Sequence, residues 1–336
     1  MARDSRSAAA PTVSAAQPRG SGDRSAVSWP GAPGDLTAEV AARVGSAREA
    51  AWIVEHVERT PGMTGRPPRP TGRPDRSGGH ADARDAALAL ADRRAAGEPL
   101  QYVLGTWQFR TLELAVDRRV LIPRPETERV VEVALGELAR IAAGRHGTGP
   151  LVCVDLGTGS GAIALSLAVE GGGTDLTVPF EVWATDLSAD ALEVARANLG
   201  ALEAVDPVAA ARVTLARGAW FDALPDRLAR RIDLVVSNPP YVSEEEYHGL
   251  DPTVREWEPV EALVAPRGGS GVAGAADVEA VVAGAARWLR PFGALVVELA
   301  PSQAYGALDM ARRAGFPRVG TERDLAGRLR MLVAGR

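Results

Sequence analysis

The chain has 336 residues, 46% of them hydrophobic and 24% charged, and this length allows two domains with at least one full α/β core. The formal net charge of −5 disfavours a general nucleic-acid-binding protein, and no apolar run approaches the roughly 20 residues of a membrane span, so neither nucleic acid nor membrane is an expected partner. One cysteine, Cys153, excludes an internal disulfide and, with only four histidines, argues against a metal site, which predicts a metal-free protein of the reducing cytoplasm.

The N-terminal segment is rich in Ser, Ala, Pro, Gly and Arg and nearly devoid of large apolar side chains. Such a segment cannot offset the entropy lost on ordering, which predicts a disordered extension over residues 1–33. An organelle transit peptide is the alternative interpretation. It is disfavoured because the segment lacks a convincing amphipathic face and contains Asp4 and Asp23.

Residues 34–105 are predicted to form a small helical domain that docks the substrate. Apolar side chains recur at helical spacing between Leu36 and Val57, and a further helix is expected over residues 81–96. A stretch dense in Pro, Gly and Arg at 60–79 separates these helices and predicts a loop.

Residues 106–128 are predicted to form a hairpin-like linker, because β-type alternation runs through 111–122 before a helix expected at 128–143. After this linker, apolar runs alternate with helical stretches. Buried strands are expected at 151–155, 181–185, 232–236 and 294–299. This alternation predicts an α/β domain over 129–336, with a mostly parallel sheet covered by helices on both faces.

A glycine-rich turn links the first of these strands to the next helix. Its residues are Gly157, Thr158, Gly159, Ser160 and Gly161. Glycine lets the backbone adopt positive φ and lets a ligand approach closely, and the helix that follows offers free N–H groups. The turn is therefore predicted to cradle a polar ligand, although alone it also fits a tight connection or a dinucleotide-binding loop.

Acidic residues end the first two strands. Asp186 follows the second strand at the carboxyl edge, where open α/β sheets bind ligands, and is predicted to accept hydrogen bonds from both hydroxyls of a ribose. A helix N-cap is its structural alternative, although Ser188 is better placed for that role. Asp155, which ends the first strand, is either a turn carboxylate satisfied by loop amides or a contact to the amino-acid portion of a cofactor.

The most specific motif is the tetrapeptide Asn238-Pro239-Pro240-Tyr241, which follows the third strand closely. The prolines stiffen this segment and lack N–H donors, so its carbonyl acceptors point in fixed directions. An amide or aromatic amine nitrogen is a poor nucleophile but carries two good N–H donors. The Asn238 side-chain oxygen and the Pro239 carbonyl can orient such an NH₂ group toward an activated methyl, with Tyr241 as a flat apolar face. A proline-rich turn without catalytic function is the alternative.

Together these motifs closely resemble the class I methyltransferase fold, and specifically the release-factor glutamine methyltransferase family, known as HemK or PrmC. The resemblance runs from about residue 94 to the C-terminus. It includes the segments 97–102, 121–128, 257–259 and 298–303. It implies a Rossmann-like, seven-stranded, mostly parallel sheet with helices on both faces, preceded by a small helical domain.

The resemblance also implies S-adenosylmethionine as the cofactor. The residues implied to bind it are Asp155, Gly157, Thr158, Gly159, Ser160, Gly161, Asp186, Trp220 and Asn238. Trp220 would pack near the adenine, although it fits a core position equally well. The transfer would require no metal and no strong general base, because alignment and electrostatics carry it.

The implied substrate is the glutamine of a Gly-Gly-Gln motif in a peptide chain release factor. Residues 238–241 would hold this glutamine, and the product would be methylated on its amide nitrogen. Arg124, Glu126 and Glu128 are nominated for substrate docking or domain bridging, with a solvated helix cap as the alternative.

Rival functions share some of these motifs. An adenine amino group in nucleic acid poses the same geometric problem, but the acidic balance and the lack of a base-recognition domain argue against it. A ribosomal-protein glutamine is a closer rival, which the sequence separates poorly. A cofactor-binding module without turnover and a dehydrogenase are disfavoured, because the catalytic motifs are intact and the glycine spacing is not that of a dinucleotide loop.

Overall fold

The computed structural model describes residues 33–60, 76–144, 149–173 and 178–336. The predicted N-terminal extension, apart from its last residue, and most of the predicted 60–79 loop lie outside these ranges. The helices are α1 (Pro33–Val44), α2 (Ala47–Arg59), α3 (Arg76–Ala95), α4 (Leu100–Leu104), α5 (Pro125–Ala143), α6 (Ala162–Gly173), α7 (Ala189–Val205), α8 (Pro207–Ala210), α9 (Glu244–Tyr247), α10 (Pro252–Arg255), α11 (Ala276–Trp288) and α12 (Ala304–Arg313). The strands are β1 (Thr106–Phe109), β2 (Leu112–Ala115), β3 (Leu151–Leu156), β4 (Phe180–Asp186), β5 (Val213–Arg217), β6 (Ile232–Ser237), β7 (Leu289–Glu298), β8 (Arg318–Arg323) and β9 (Leu329–Gly335).

The first four helices share a small apolar core. Helix α2 begins after Ser46, whose hydroxyl accepts a hydrogen bond from the backbone N–H of Glu49 at 3.2 Å. Its apolar face buries Ile53 against Val40 of α1 and Ala87 of α3. The predicted helical region is confirmed, whereas the boundaries of a separate domain stay a prediction.

A hairpin follows these helices, as predicted in kind. Its strands β1 and β2 pair antiparallel, and the β structure begins at Thr106. It ends at Ala115, so most of the stretch 111–122, which was expected to be β structure, lies after the hairpin. The ring of Trp107 meets that of Trp52 edge to face, with centroids 6.1 Å apart. Helix α5 begins at Pro125, earlier than predicted, because proline at the first helical position has a preset φ and needs no N–H partner.

A seven-stranded sheet forms the centre of the molecule, with strand order β5-β4-β3-β6-β7-β9-β8. Strands β3 to β7 run parallel, and β9 and β8 are antiparallel additions at one side. Each of the four strands predicted in this region is present. The order places the carboxyl ends of β3, β4 and β6 side by side, at the point where the chain switches direction along the sheet.

Helices cover both faces of this sheet. Helices α5 and α6 bury residues such as Leu138 and Leu165 on one face, and α11 and α12 bury residues such as Val281 and Met310 on the other. Cys153 lies within β3 and is fully buried, which raises the pKa of its thiol far above the usual range. Among the described residues, no helix is both long enough and apolar enough to cross a membrane.

Replacing Leu138 by alanine tests the α5 face of this core. Because Leu138 is fully buried, Leu138→Ala is expected to lower the free energy of unfolding by about 2–5 kcal/mol in a denaturant titration. Leu325 is 88% exposed, so Leu325→Ala is the matched control. It is expected to change the free energy of unfolding by less than about 0.5 kcal/mol. Equal effects of the two substitutions would contradict this packing.

Candidate active site

A cavity of about 630 Å³ opens where β3, β4 and β6 end. The predicted site residues that line it are Gly157, Thr158, Gly159, Ser160, Asp186, Trp220, Asn238 and Pro240. The predicted site residues outside its lining are Asp155, Gly161, Pro239, Tyr241, Arg124 and Glu126. The structure therefore brings the glycine turn, Asp186 at the end of β4, and Asn238 and Pro240 of the tetrapeptide to one cavity.

The glycine turn has the backbone conformation that its composition predicts. Gly157, Gly159 and Gly161 have φ values of 72°, 56° and 87°. Residues with a side chain are strained in this region, whereas glycine is not. The backbone N–H groups of Gly157 and Thr158 both donate to the carbonyl of Thr185 at 2.9 Å. These bonds fasten the turn to β4 and fix its position on the cavity wall.

Asp155 lies behind this turn and is fully buried. Its Oδ2 accepts hydrogen bonds from the Thr158 hydroxyl at 2.7 Å and from the backbone N–H of Ala164 at 3.1 Å. Its Oδ1 is buried and has no hydrogen-bond partner within the described ranges. Burial raises the pKa of Asp155 to about 7. These contacts support the turn-carboxylate interpretation, because they join the turn to the first turn of α6.

Asp186 reaches the cavity from the end of β4. Its Oδ2 accepts from the backbone N–H of Gly159 and its Oδ1 from that of Ser188, both at 2.9 Å. Ser188, not Asp186, is the N-cap of α7, with its hydroxyl accepting from the N–H of Ala191 at 3.1 Å. Burial raises the pKa of Asp186, and the backbone hydrogen bonds oppose that rise. The carboxylate is thus held beside the turn and faces the cavity, as a ribose acceptor must.

The position of Trp220 is compatible with both of its predicted interpretations. It lines the cavity, and it is half-buried and packs against the core beneath α11. A β-carbon at Gly157 would lie 3.6 Å from the indole ring, an ordinary contact distance, so the ring and the turn are close neighbours. The backbone of Trp220 has a φ of 48°, a strained value for a bulky residue, and such strain concentrates at functional sites.

The tetrapeptide is held from behind. The Asn238 Nδ2 donates to the Thr127 hydroxyl at 3.2 Å, and the Tyr241 hydroxyl donates to Glu298 at 3.2 Å. The Gln303 Nε2 donates to the backbone carbonyl of Tyr241 at 3.0 Å. The Asn238 Oδ1 is buried and lacks a partner in the part of the chain that the structure describes. A buried acceptor of this kind calls for a donor, which a ligand can supply.

The three charged residues at the start of α5, namely Arg124, Glu126 and Glu128, make contacts between segments. Arg124 forms an ion pair with the buried Glu258, and Glu126 pairs with Arg328 at 2.8 Å. The Glu128 carboxylate accepts from the backbone N–H of residue 110 at 3.0 Å. These contacts argue against a solvated cap, whereas substrate docking and domain bridging both stay predictions.

Thr127, Glu298 and Gln303 contact the tetrapeptide and were not predicted as site residues. Glu298 carried a usable signal, because it ends the apolar strand β7 at the same sheet edge as Asp155 and Asp186. Thr127 carried none, since only tertiary folding brings α5 to the tetrapeptide.

Comparisons with known proteins agree with this geometry. The family described as "Methyltransferase small domain" matches residues 149–250. Release factor glutamine methyltransferases are similar over most of the chain: that of Bordetella pertussis is 43% identical, covering 71% of this chain and 78% of the relative, and that of Gloeobacter violaceus is 41% identical, covering 75% and 80%. The relative from Pasteurella multocida is 37% identical, covering 72% and 76%.

The chain belongs to the release factor glutamine methyltransferase family. The likeness extends through most of each chain. Among solved structures, a 16S rRNA methyltransferase of T. thermophilus in complex with AdoMet and guanosine is similar, with a TM-score of 0.45 and 19% identity, covering 69% of this chain and 49% of that one.

The methyltransferase uses S-adenosylmethionine, and the residues present fit that cofactor. The cavity of about 630 Å³ accommodates a nucleoside with an amino-acid tail. The glycine turn leaves room for a ligand, Asp186 offers a carboxylate to ribose hydroxyls, and Asn238 lines the same cavity.

Replacing Asp186 by asparagine tests the ribose contact in the methyltransferase. Asp186→Asn exchanges a carboxylate oxygen for an N–H donor, and a hydrogen bond to a charged group contributes about 1.5–3 kcal/mol, so the Kd for S-adenosylmethionine should rise at least about tenfold. Isothermal titration calorimetry measures this change. Asp309→Asn, at an exposed position on α12, is the matched control, and an unchanged Kd in Asp186→Asn would contradict the assignment.

Proposed function

We propose that this methyltransferase transfers a methyl group from S-adenosylmethionine to the side-chain amide nitrogen of the glutamine in the Gly-Gly-Gln motif of peptide chain release factors. The proposal depends above all on the buried, unpartnered Asn238 Oδ1, because an amide NH₂ group is a matching donor for it. Relatives of 37–43% identity that carry the name of this activity support the same substrate. A release-factor substrate places the reaction in the cytoplasm.

On the cofactor side, each proposed role follows from position. When bound, S-adenosylmethionine supplies a methyl group activated by its sulfonium. Asp186 and Trp220 both line the cavity, where Asp186 would accept hydrogen bonds from the ribose and Trp220 would pack beside the adenine. Residues 157–160 line the cavity. Their side chains are small, the largest being those of Thr158 and Ser160, so the cofactor can lie close to the backbone of the turn. Gly161 and Asp155 act from behind the wall by fixing the turn.

On the substrate side, the main role of the enzyme is to orient the glutamine amide. The glutamine amide nitrogen is a weak nucleophile because its lone pair is delocalised into the carbonyl. The Asn238 Oδ1 and the Pro239 carbonyl accept hydrogen bonds from the two N–H groups of the glutamine amide. This turns the lone pair of the amide nitrogen toward the methyl carbon. The same oxygens stabilise the positive charge that develops on the nitrogen, and Pro240 and Tyr241 keep the segment stiff.

The transfer is balanced without a metal or a covalent enzyme intermediate. The amide nitrogen forms a bond to the methyl carbon while the carbon–sulfur bond breaks, and the electron pair of that bond stays on sulfur. The nitrogen then releases one proton to water, which leaves a neutral N-methylated amide.

Labelling a release factor tests the proposed substrate. With methyl-labelled S-adenosylmethionine, the protein should label the Gly-Gly-Gln glutamine, which peptide mass spectrometry locates. A release factor carrying Gln→Ala in this motif should remain unlabelled. Label that survives this substitution would reject the substrate assignment.

Substitution of Asn238 tests the mechanism. Asn238→Ala removes the positioning acceptor, so turnover should fall by about 100-fold or more, the scale of losing one group that stabilises transition-state charge. Calorimetric binding of S-adenosylmethionine should largely persist. Gln108→Ala removes an exposed carboxamide on β1 and is the matched control, expected to keep wild-type turnover. Unchanged turnover in Asn238→Ala would contradict the role.

A further inference from the structure

Hydrogen bonds connect Asn238 to a carboxylate that lies outside the cavity. The Asn238 Nδ2 donates to the Thr127 Oγ1 at 3.2 Å, and this hydroxyl donates to the Glu298 Oε2 at 2.7 Å. The Tyr241 hydroxyl donates to the other oxygen, Oε1, at 3.2 Å. Glu298 is only 1% exposed, so water does not compete for these bonds.

The ionised carboxylate gives this chain a direction. A carboxylate has acceptors only, so the single hydroxyl proton of Thr127 must point at Glu298. The Thr127 oxygen is then left as an acceptor, and Asn238 must turn its NH₂ group toward it. This arrangement leaves the Asn238 Oδ1, not its NH₂, on the side where it has no protein partner.

We propose that Glu298 is a positioning residue for methyl transfer, which acts through Thr127 to fix the end of the Asn238 amide that faces the substrate. This inference rests on the proposed function, because a glutamine NH₂ group needs an acceptor and is repelled by a second NH₂ group. A neutral Glu298 has its own O–H donor, so the Thr127 hydroxyl becomes free to donate to Asn238. The amide then turns over and presents its NH₂ group to the substrate.

The charges around Glu298 place this change near neutral pH. The pKa of Glu298 is raised to about 7, with burial as the largest cause and the charge of Glu126 on α5 as a smaller one in the same direction. Hydrogen bonds from Thr127 and Tyr241 and the charge of Arg330 on β9 lower it. The anionic form that fixes Asn238 is therefore half populated at about pH 7, predominates as the pH rises above it and is lost as the pH falls below it.

Turnover against pH is the first test, with Glu298→Gln and Thr127→Val as the variants. Both should reduce kcat on the order of tenfold, because the inverted orientation of the Asn238 amide then predominates. The wild-type kcat should rise as the pH increases through about 7, and this rise should be absent from Glu298→Gln. Thr127→Ser keeps the hydroxyl and should restore kcat to within about threefold of wild type.

Asp233→Asn is the matched control for removing a buried carboxylate. Asp233 lies at the opposite end of β6, where it accepts from the N–H of Val152 at 2.9 Å and pairs with Arg290 at 3.1 Å. This variant should be less stable but keep the wild-type pH profile. If Glu298→Gln does not fold, the Thr127→Val and Thr127→Ser pair makes the same comparison.

A measurement without substrate separates this inference from the proposed function. The side-chain ¹⁵N–¹H signals of Asn238, assigned by their loss in Asn238→Ala, should shift as the pH passes through about 7, and Glu298→Gln should abolish the shift. Signals that do not move, or that move equally in Glu298→Gln, overturn the inference whatever the substrate. A wild-type protein that labels no release factor contradicts the proposed function instead.

Discussion

Parallel pairing of β3 with β4 on one side and with β6 on the other is the constraint on which the site depends. Because the three strands run in the same direction, the residues that follow them emerge at one edge of the sheet. Asp155 pairs with Ala184 and with Val236, so the three strands end in step. A shift of one strand by a residue would turn its buried side chains to the other face and break this alignment.

Two carboxylates that do not line the cavity fix the positions of the two segments that do, the glycine turn and the tetrapeptide. Asp155 fastens the glycine turn to the start of α6, and Glu298 holds the tetrapeptide through Thr127 and Tyr241. Both are almost fully buried, and burial brings the pKa of each to about 7. Buried acids are costly to the fold, so the enzyme maintains a rigid site at the expense of stability.

The sequence predicts the parts of this molecule whose signal is local. The central strands are continuous apolar runs, and the glycine turn and the tetrapeptide are short segments with strong backbone preferences. Strand β5 escaped prediction because it is a half-exposed edge strand with Thr214 and Arg217 among its residues, and the antiparallel β8 and β9 escaped as well. The contact between Thr127 and Asn238 joins residues 111 positions apart, which no local pattern encodes.

The fully buried Cys153 makes this protein well suited to spectroscopic study. A thiol reacts through its thiolate, and here burial both removes access and suppresses ionisation. Since the chain contains one cysteine, a second one introduced at an exposed position such as Leu325 would be the sole site for a maleimide dye. A fluorescent probe can thus be attached at one chosen position of the enzyme without first removing a native thiol.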